Sequence, residues 1–196
     1  MKINPDIDLS PGLEARLLAG DPEAFRELVE AYKRKFYGLA FQYTRNHADA
    51  EDVSQIAFIK VFRSIGTFRK GSNLNAWLYR VVVNTAIDHI RKRPFFPQEY
   101  PRPEAVETSF GPPDPARAAE AALLRKKLDA ALDRISERER TAFILRFDHG
   151  LNLREIAEVL DVSVGSVKSY LFRSGRKLRR ELSEAGLRLS EEVPHV

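Results

Sequence analysis

The sequence predicts an all-α protein made of two small helical domains joined by a proline-rich linker. Apolar residues recur at helical spacing in successive segments, and several of these segments follow a residue that caps helices well. Seven of the eleven prolines fall within residues 94–115, where they remove backbone donors and oppose helix formation. We therefore predict a first domain over residues 1–93, a linker over 94–115 and a second domain over 116–196.

The first domain is predicted to contain one short helix and three longer ones. The short helix covers residues 13–19. The second helix begins at Asp21-Pro22-Glu23, because a capping residue there precedes a proline in the first turn, and it runs to about residue 44. The third and fourth helices are predicted over residues 49–65 and 74–93, with a polar, basic loop between them.

Helical spacing divides the third and fourth helices into inner and outer faces. The predicted inner face of the third helix consists of Val53, Ile56, Ala57, Ile59 in part, Phe62 and Ile65. The predicted apolar side of the fourth consists of Tyr79, Val82, Val83, Ala86 and Ile90. Polar residues recur on its other side: Arg80, Asn84, Asp88 and Arg91.

The second domain is predicted to end in a helix-turn-helix. Residues 116–134 are rich in alanine and leucine and favour a helix, and Ser136 and Glu139 have the spacing of a capping box that opens the next one. Residues 152–182 are typical of two helices that meet at a tight turn. Asn152 can cap the first of these, with Glu155 as its capping-box partner, and Ser163 can cap the second.

The second helix of this pair separates its faces cleanly. On one side lie Val164, Val167, Leu171, Leu178 and Leu182, and on the opposite side lie Ser169, Arg173, Arg176 and Arg180, flanked by Lys168 and Phe172. Residues 164–180 contain six basic residues and no acidic one. A solvated basic face would account for this pattern, but the preceding capped helix and short turn favour a helix that reads the major groove of DNA.

Composition narrows the class of protein. The net charge of +4 and the pI near 9.4 indicate a polyanionic partner. The sequence has no cysteine, and its four histidines show no metal-ligand spacing. It also lacks a glycine-rich phosphate loop and a G-x-S-x-G motif, so we predict neither a cofactor nor a metal, and no enzymatic activity. Without a signal peptide or a long apolar run, we expect a cytoplasmic protein that does not insert into a membrane.

Two long motifs resemble the sigma-70 family of RNA polymerase sigma factors, in its extracytoplasmic-function (ECF) group. The first is W-L-Y-R-x-x-x-N-T-A in the fourth helix, and the second is E-I-A-x-x-L-x-V-S-x-G-[ST]-V-[KR]-S-x-L-x-R-[AS] in the helix-turn-helix. The resemblance covers residues 17–185. It implies a sigma-2-like first domain, a sigma-4-like second domain and a factor that directs promoter-specific initiation by core RNA polymerase. The alternative is a stand-alone helix-turn-helix regulator, which would dimerise and bind a palindrome.

The resemblance also implies which residues of the first domain bind. Contact with core RNA polymerase falls to Asp52, Gln55 and Phe58. The family often has an acidic residue where Ile56 stands, so one polar contact is absent here. Residues that match the family's −10 contacts would hold a flipped base or the phosphates around it: Lys60, Ser64, Phe68, Arg80, Val81, Asn84 and Arg91.

In the second domain, the predicted contacts with the −35 element are Lys168, Ser169, Phe172, Arg173 and Arg176. The first four match the family's readers, and all five belong to the polar side that helical periodicity defines. The partners that the resemblance implies are core RNA polymerase, promoter DNA and an anti-sigma factor.

Overall fold

The structure consists of two helical units. The computed structural model describes residues 12–69, 71–92, 127, 130–132 and 134–184. The chain divides into Met1–Pro103 and Glu104–Val196, and every regular element among the described residues is helical. The predicted ends of the domains and the linker lie outside the described residues, so they stay predictions.

The described residues of the first unit form four α-helices and one 3₁₀ turn. They are α1 (Leu13–Leu18), α2 (Pro22–Thr44), α3 (His47–Ser64), the 3₁₀ turn Ile65–Thr67 and α4 (Leu74–Lys92). The side chain of Asp21 accepts a hydrogen bond from Glu23 N–H at 2.9 Å, which confirms the predicted start of α2. Asn46 caps α3 in the same way, and α3 therefore begins two residues earlier than predicted.

Helices α2, α3 and α4 pack around one apolar core. The large side chains buried most completely include Leu28, Tyr32, Phe36 and Leu39 of α2, Val53 and Val61 of α3, and Leu78 and Tyr79 of α4. Inside this core the hydroxyl of Tyr32 donates to the side-chain oxygen of Asn75 at 3.0 Å, so the polar atom of a buried ring is satisfied. This packing holds α3 and α4 side by side.

The predicted inner face of α3 is partly wrong. Val53 and Ala57 are buried as expected, but Ile56, Ile59 and Phe62 are exposed. The buried stripe runs instead through Val53, Ala57 and Val61, at spacings of four residues, with Ser54 beside it. Small side chains there fit between α2 and α4, which turns the larger apolar residues outward. Ile90 at the end of α4 is also exposed, contrary to prediction.

The second unit contains α5 (Glu137–Phe147), α6 (Leu153–Leu160) and α7 (Val164–Glu184). The predicted capping boxes at Ser136 and Asn152 are both present. The described part of the predicted helix over residues 116–134 is helical at residues 127 and 130–132. Its Ala131 and Leu132 form a buried cluster with Ile135 and two leucines of α7. Phe147, the last residue of α5, is exposed.

Candidate nucleic-acid interface

Short-range hydrogen bonds fix the start of α6 and the turn that leads into α7. Asn152 accepts from the backbone N–H of Arg154 and Glu155, while Glu155 accepts from the N–H of Asn152. Asp161 ends α6 in the left-handed conformation, at φ 53°. Ser163 then caps α7, since its hydroxyl accepts from Ser166 N–H at 3.1 Å. The turn therefore has the short connection that a helix-turn-helix requires.

Helix α7 presents its polar side to solvent. Val167, Leu171, Leu178 and Leu182 are buried, as periodicity predicts, and the small Ser174 is buried beside them. All five residues predicted to contact the −35 element are exposed: Lys168, Ser169, Phe172, Arg173 and Arg176. The ring of Phe172 is 68% exposed.

Arg173 is restrained from two directions. Its Nε lies 3.3 Å from Oε1 of Glu139, at the start of α5. Its guanidinium carbon lies 5.3 Å from the centre of the Tyr170 ring, within the range of a cation–π contact. The other oxygen of Glu139, Oε2, accepts from Nζ of Lys177 at 2.8 Å. Sequence reasoning identified Glu139 as a capping residue but missed its contacts with α7.

Glu139 is a charged group in a buried position, with 4% of its surface exposed. Burial by itself raises the pKa of this carboxyl. The hydrogen bonds from Lys177 and Ser136 outweigh burial, and the pKa of Glu139 lies below its ordinary value. Glu139 is therefore ionised at neutral pH and attracts the two cations of α7 that reach it.

In the first unit, the predicted −10 residues come from α3, from α4 and, for Phe68, from the end of the 3₁₀ turn between them. Nζ of Lys60 on α3 lies 3.9 Å from Oδ2 of Asp88 on α4, so the exposed side of α3 adjoins the polar side of α4. Asn84 and Arg91 are exposed on this side, and Arg80 is half-buried. The structure thus brings Lys60, Asn84 and Arg91 to one surface, together with the carboxylate of Asp88.

Three residues of the predicted −10 contacts, Ser64, Phe68 and Val81, are wholly or partly shielded from solvent. Ser64 and Val81 are half-buried, and the Ser64 hydroxyl donates to the backbone oxygen of Lys60. Phe68 is only 5% exposed, and its ring centre lies 5.5 Å from that of Trp77 in the first turn of α4. The ring is therefore part of the core in this structure and does not present an exposed face to a base. The role of Phe68 stays a prediction.

The residues predicted to contact polymerase lie on α3 next to an apolar surface. Asp52 and Gln55 are exposed, and helical spacing places Ile59 and Phe62 on the same side, with exposures of 50% and 60%. Phe58 is half-buried and stacks on Phe36, with ring centres 4.4 Å apart. A shallow groove of about 340 Å³ is lined by Phe25, Phe58, Ile59 and Phe62.

The described residues lack two features, a metal-binding cluster and a membrane-spanning helix. The described part of the chain contains no group of three or more histidine, cysteine, aspartate or glutamate side chains that could hold a metal ion. Within the same residues, no helix is both long enough and apolar enough to cross a membrane.

Comparison with protein families gives two matches, one in each unit. The family model described as Sigma-70 region 2 matches residues 28–94, and the model described as Sigma-70, region 4 matches residues 125–178. Among curated proteins, the chain is 35% identical to the RNA polymerase sigma-H factor of Pseudomonas aeruginosa, over 87% of this chain and 92% of the relative. It is 31% identical to the ECF RNA polymerase sigma factor SigW of Bacillus subtilis, over 84% of this chain and 92% of the relative.

Solved structures share the fold. CnrH, solved in complex with the cytosolic domain of CnrY, superposes with a TM-score of 0.67 at 24% identity, covering 88% of this chain and 96% of CnrH. The sigma factor RpoE of Bartonella quintana, solved with the anti-sigma factor NepR, gives a TM-score of 0.63 at 23% identity, covering 82% of this chain and 98% of RpoE.

Proposed function

The chain belongs to the sigma-70 family of RNA polymerase sigma factors, in its ECF group, and we propose that its two units bind the −35 and −10 elements of one promoter. It binds core RNA polymerase and directs initiation at those promoters. We also propose that it works in the cytoplasm and has no catalytic activity of its own. A stand-alone regulator is not favoured, because family membership accounts for both units.

The observation that carries the proposal is the exposed polar side of α7. Its residues match the family's −35 readers in sequence, and the structure leaves Lys168, Ser169 and Arg173 on the surface. A helix fits the major groove, where an arginine can donate to both O6 and N7 of guanine. We assign base recognition to Arg173 and additional contacts to Lys168, Ser169, Phe172 and Arg176.

The surface shared by α3 and α4 supports a second contact with DNA. We assign phosphate binding to Lys60, Arg80 and Arg91 and recognition of a flipped base to Asn84. Ser64 and Val81 would line the pocket. Phe68 would pack against Trp77, which lies one turn before Val81 on α4, and so would hold this part of α4 in place. Because the two units bind separate parts of one promoter, each can bind weakly by itself and the pair still binds tightly.

Docking on core RNA polymerase is assigned to the exposed side of α3. Asp52 and Gln55 supply polar contacts. The neighbouring Ile59 and Phe62 supply apolar surface that is buried when a partner binds. Phe58, stacked on Phe36, supports this surface from the core. An exposed apolar surface beside polar residues is typical of a protein interface.

An anti-sigma factor is proposed as a further partner. Both solved structures named above hold the related protein with a second chain, and one of these second chains is an anti-sigma factor. Such a partner would keep the chain from polymerase by covering surfaces that polymerase or DNA needs.

Run-off transcription tests the proposal. Purified core RNA polymerase is assayed with and without the chain on a genomic fragment library, and transcripts are mapped at their 5′ ends. We expect starts that depend on the chain and share two upstream elements. A matched template with a scrambled −35 element should lose the start. Identical transcripts with and without the chain, or tight binding to a palindrome in the absence of polymerase, would contradict the proposal.

A further inference from the structure

Glu139 is a buried carboxylate whose two oxygens contact different groups. Oε2 accepts from the backbone N–H of Ser136 at 3.2 Å and from Nζ of Lys177 at 2.8 Å. Oε1 faces Nε of Arg173 at 3.3 Å. The capping box and Lys177 therefore use one oxygen, and the other is directed at the residue assigned to base recognition.

This contact involves only Nε of the guanidinium and does not involve its two terminal nitrogens. A guanidinium is planar and presents donors in a rigid fork. Nε lies on the edge that faces Glu139, whereas the two terminal nitrogens form the end of the fork. The end of the fork is the part that can donate to both O6 and N7 of a guanine. Glu139 can thus hold Arg173 without using the pair of donors that reads the base.

Tyr170 restrains the same side chain from within α7. The guanidinium carbon lies 5.3 Å from the centre of its ring. Arginine is among the side chains that lose the most rotamer entropy when they are fully fixed. Two contacts that already limit its rotamers reduce the loss that occurs on binding.

The contact contributes little to folding by itself. Arg173 is 52% exposed in its side chain, and an ion pair with one partner largely in solvent contributes little to stability. Burial of Glu139 is already compensated by Lys177 and by the capping box. A role in orienting Arg173 accounts for the direction of Oε1 better than a role in stability.

We propose that Glu139 is a positioning residue for recognition of the −35 element: it orients Arg173 so that the end of the guanidinium fork faces a guanine. This inference rests on the proposed −35 role of Arg173. Glu139 itself touches no base. Its effect is on the preference for one base pair, not on general affinity for DNA.

Promoter competition with the holoenzyme tests the inference. E139Q keeps the size of the side chain and an acceptor for Ser136 but removes the charge that holds Arg173. We expect the preference for the favoured base pair at one −35 position to fall roughly fivefold to tenfold, at the lower end of the loss of a single bidentate contact. E137Q is the matched control, because it removes the same charge from the exposed first turn of α5, and the preference should be unchanged.

A double-mutant cycle separates positioning from folding. In the R173A background, E139Q should produce no further loss of base preference. A loss that persists there, or an even loss of affinity across all promoter variants, would show that Glu139 is only structural. If R173A alone leaves base preference intact, the proposed −35 role fails and the inference fails with it. Base preference lost in R173A but kept in E139Q overturns the inference alone.

A spectroscopic measurement keeps the inference testable if E139Q folds poorly. In the wild-type chain, the Nε–H of Arg173 should give a resolved NMR signal with slowed exchange against water, because Nε lies 3.3 Å from Oε1 of the buried Glu139. E137Q should retain this signal. Fast exchange of the Arg173 Nε–H in the wild-type chain would overturn the proposed contact.

Discussion

Oδ1 of Asp49, near the start of α3, lies 3.3 Å from Nε2 of His89, near the end of α4. Asp49 is buried and His89 is half-buried. The contact joins the helix that carries the proposed polymerase surface to the helix that carries Asn84 and Arg91. It therefore helps to fix one proposed binding surface relative to the other.

Replacing His89 should destabilise the first unit. H89A removes a side chain that contacts a buried carboxylate, and the expected loss is about 1–3 kcal/mol in the free energy of unfolding. Urea denaturation measures the loss. I90A is the control, since the neighbouring Ile90 is exposed and its truncation should change stability by about 0.5 kcal/mol or less. Equal stabilities of H89A and I90A would contradict a structural role for the contact.

Replacing Arg173 should change promoter choice. R173A is expected to cost about 1–3 kcal/mol at the promoters it favours, because a bidentate contact with one base pair is lost. Binding to promoter variants, measured with the holoenzyme, checks this. R179A, which removes another exposed arginine of α7, should not alter base preference. An equal loss for every variant in R173A would show that Arg173 contacts only phosphate.

Exposed residues of α3 should matter for polymerase binding and not for folding. D52A and F62A are expected to weaken binding to core polymerase, by roughly 1–3 kcal/mol for the aromatic residue. F172A is the matched control, because Phe172 is an equally exposed phenylalanine on α7. It should reduce −35 binding and leave the affinity for core enzyme unchanged. Undiminished co-purification of D52A and F62A with core enzyme would reject the proposed surface.

Asn84 should act in promoter opening. N84A removes the exposed amide assigned to the flipped base, and we expect open complexes to fall several-fold while protection of the −35 element persists. Permanganate reactivity of the −10 region measures opening, and footprinting measures −35 contact. The same two assays on R173A should show the reverse order of effects. Equal permanganate reactivity for N84A and the wild type would count against the assignment.

Acid should abolish the contribution of Glu139 to stability. Its pKa is lower in the folded chain than its ordinary value of 4.5, so the folded state favours the ionised form. This contribution is fully present above the ordinary value and is lost as the pH falls through the lowered folded pKa. The difference in unfolding free energy between the wild type and E139Q should therefore shrink as the pH is lowered from about 6 to about 3. A constant difference would contradict this.

Features that depend on neighbouring residues in the chain were predicted well. The caps at Asp21, Ser136 and Asn152 are present, because a helix start is decided within three or four residues. The two faces of α7 also follow the predicted pattern, since Val167, Leu171, Leu178 and Leu182 are buried and Phe172 is exposed on the polar side.

Features that depend on packing were not predictable from local patterns. Helix α3 has apolar residues on two sides, and only contact with α2 and α4 decides that Val61 is buried and Phe62 exposed. Phe68, at the end of the 3₁₀ turn, is buried against Trp77 of α4, nine residues further along the chain. The contact between Glu139 and Arg173 joins residues 34 positions apart in the chain, and capping alone already explained why a glutamate stands there.

The outward-facing Ile56, Ile59 and Phe62 have a consequence for the solubility of this protein at high concentration. Without a bound partner, these three apolar side chains on adjacent turns are exposed to water. The same surface of a second molecule could bury them instead. A concentration of this chain above that of its partners is therefore expected to favour self-association through α3 and to lower its solubility.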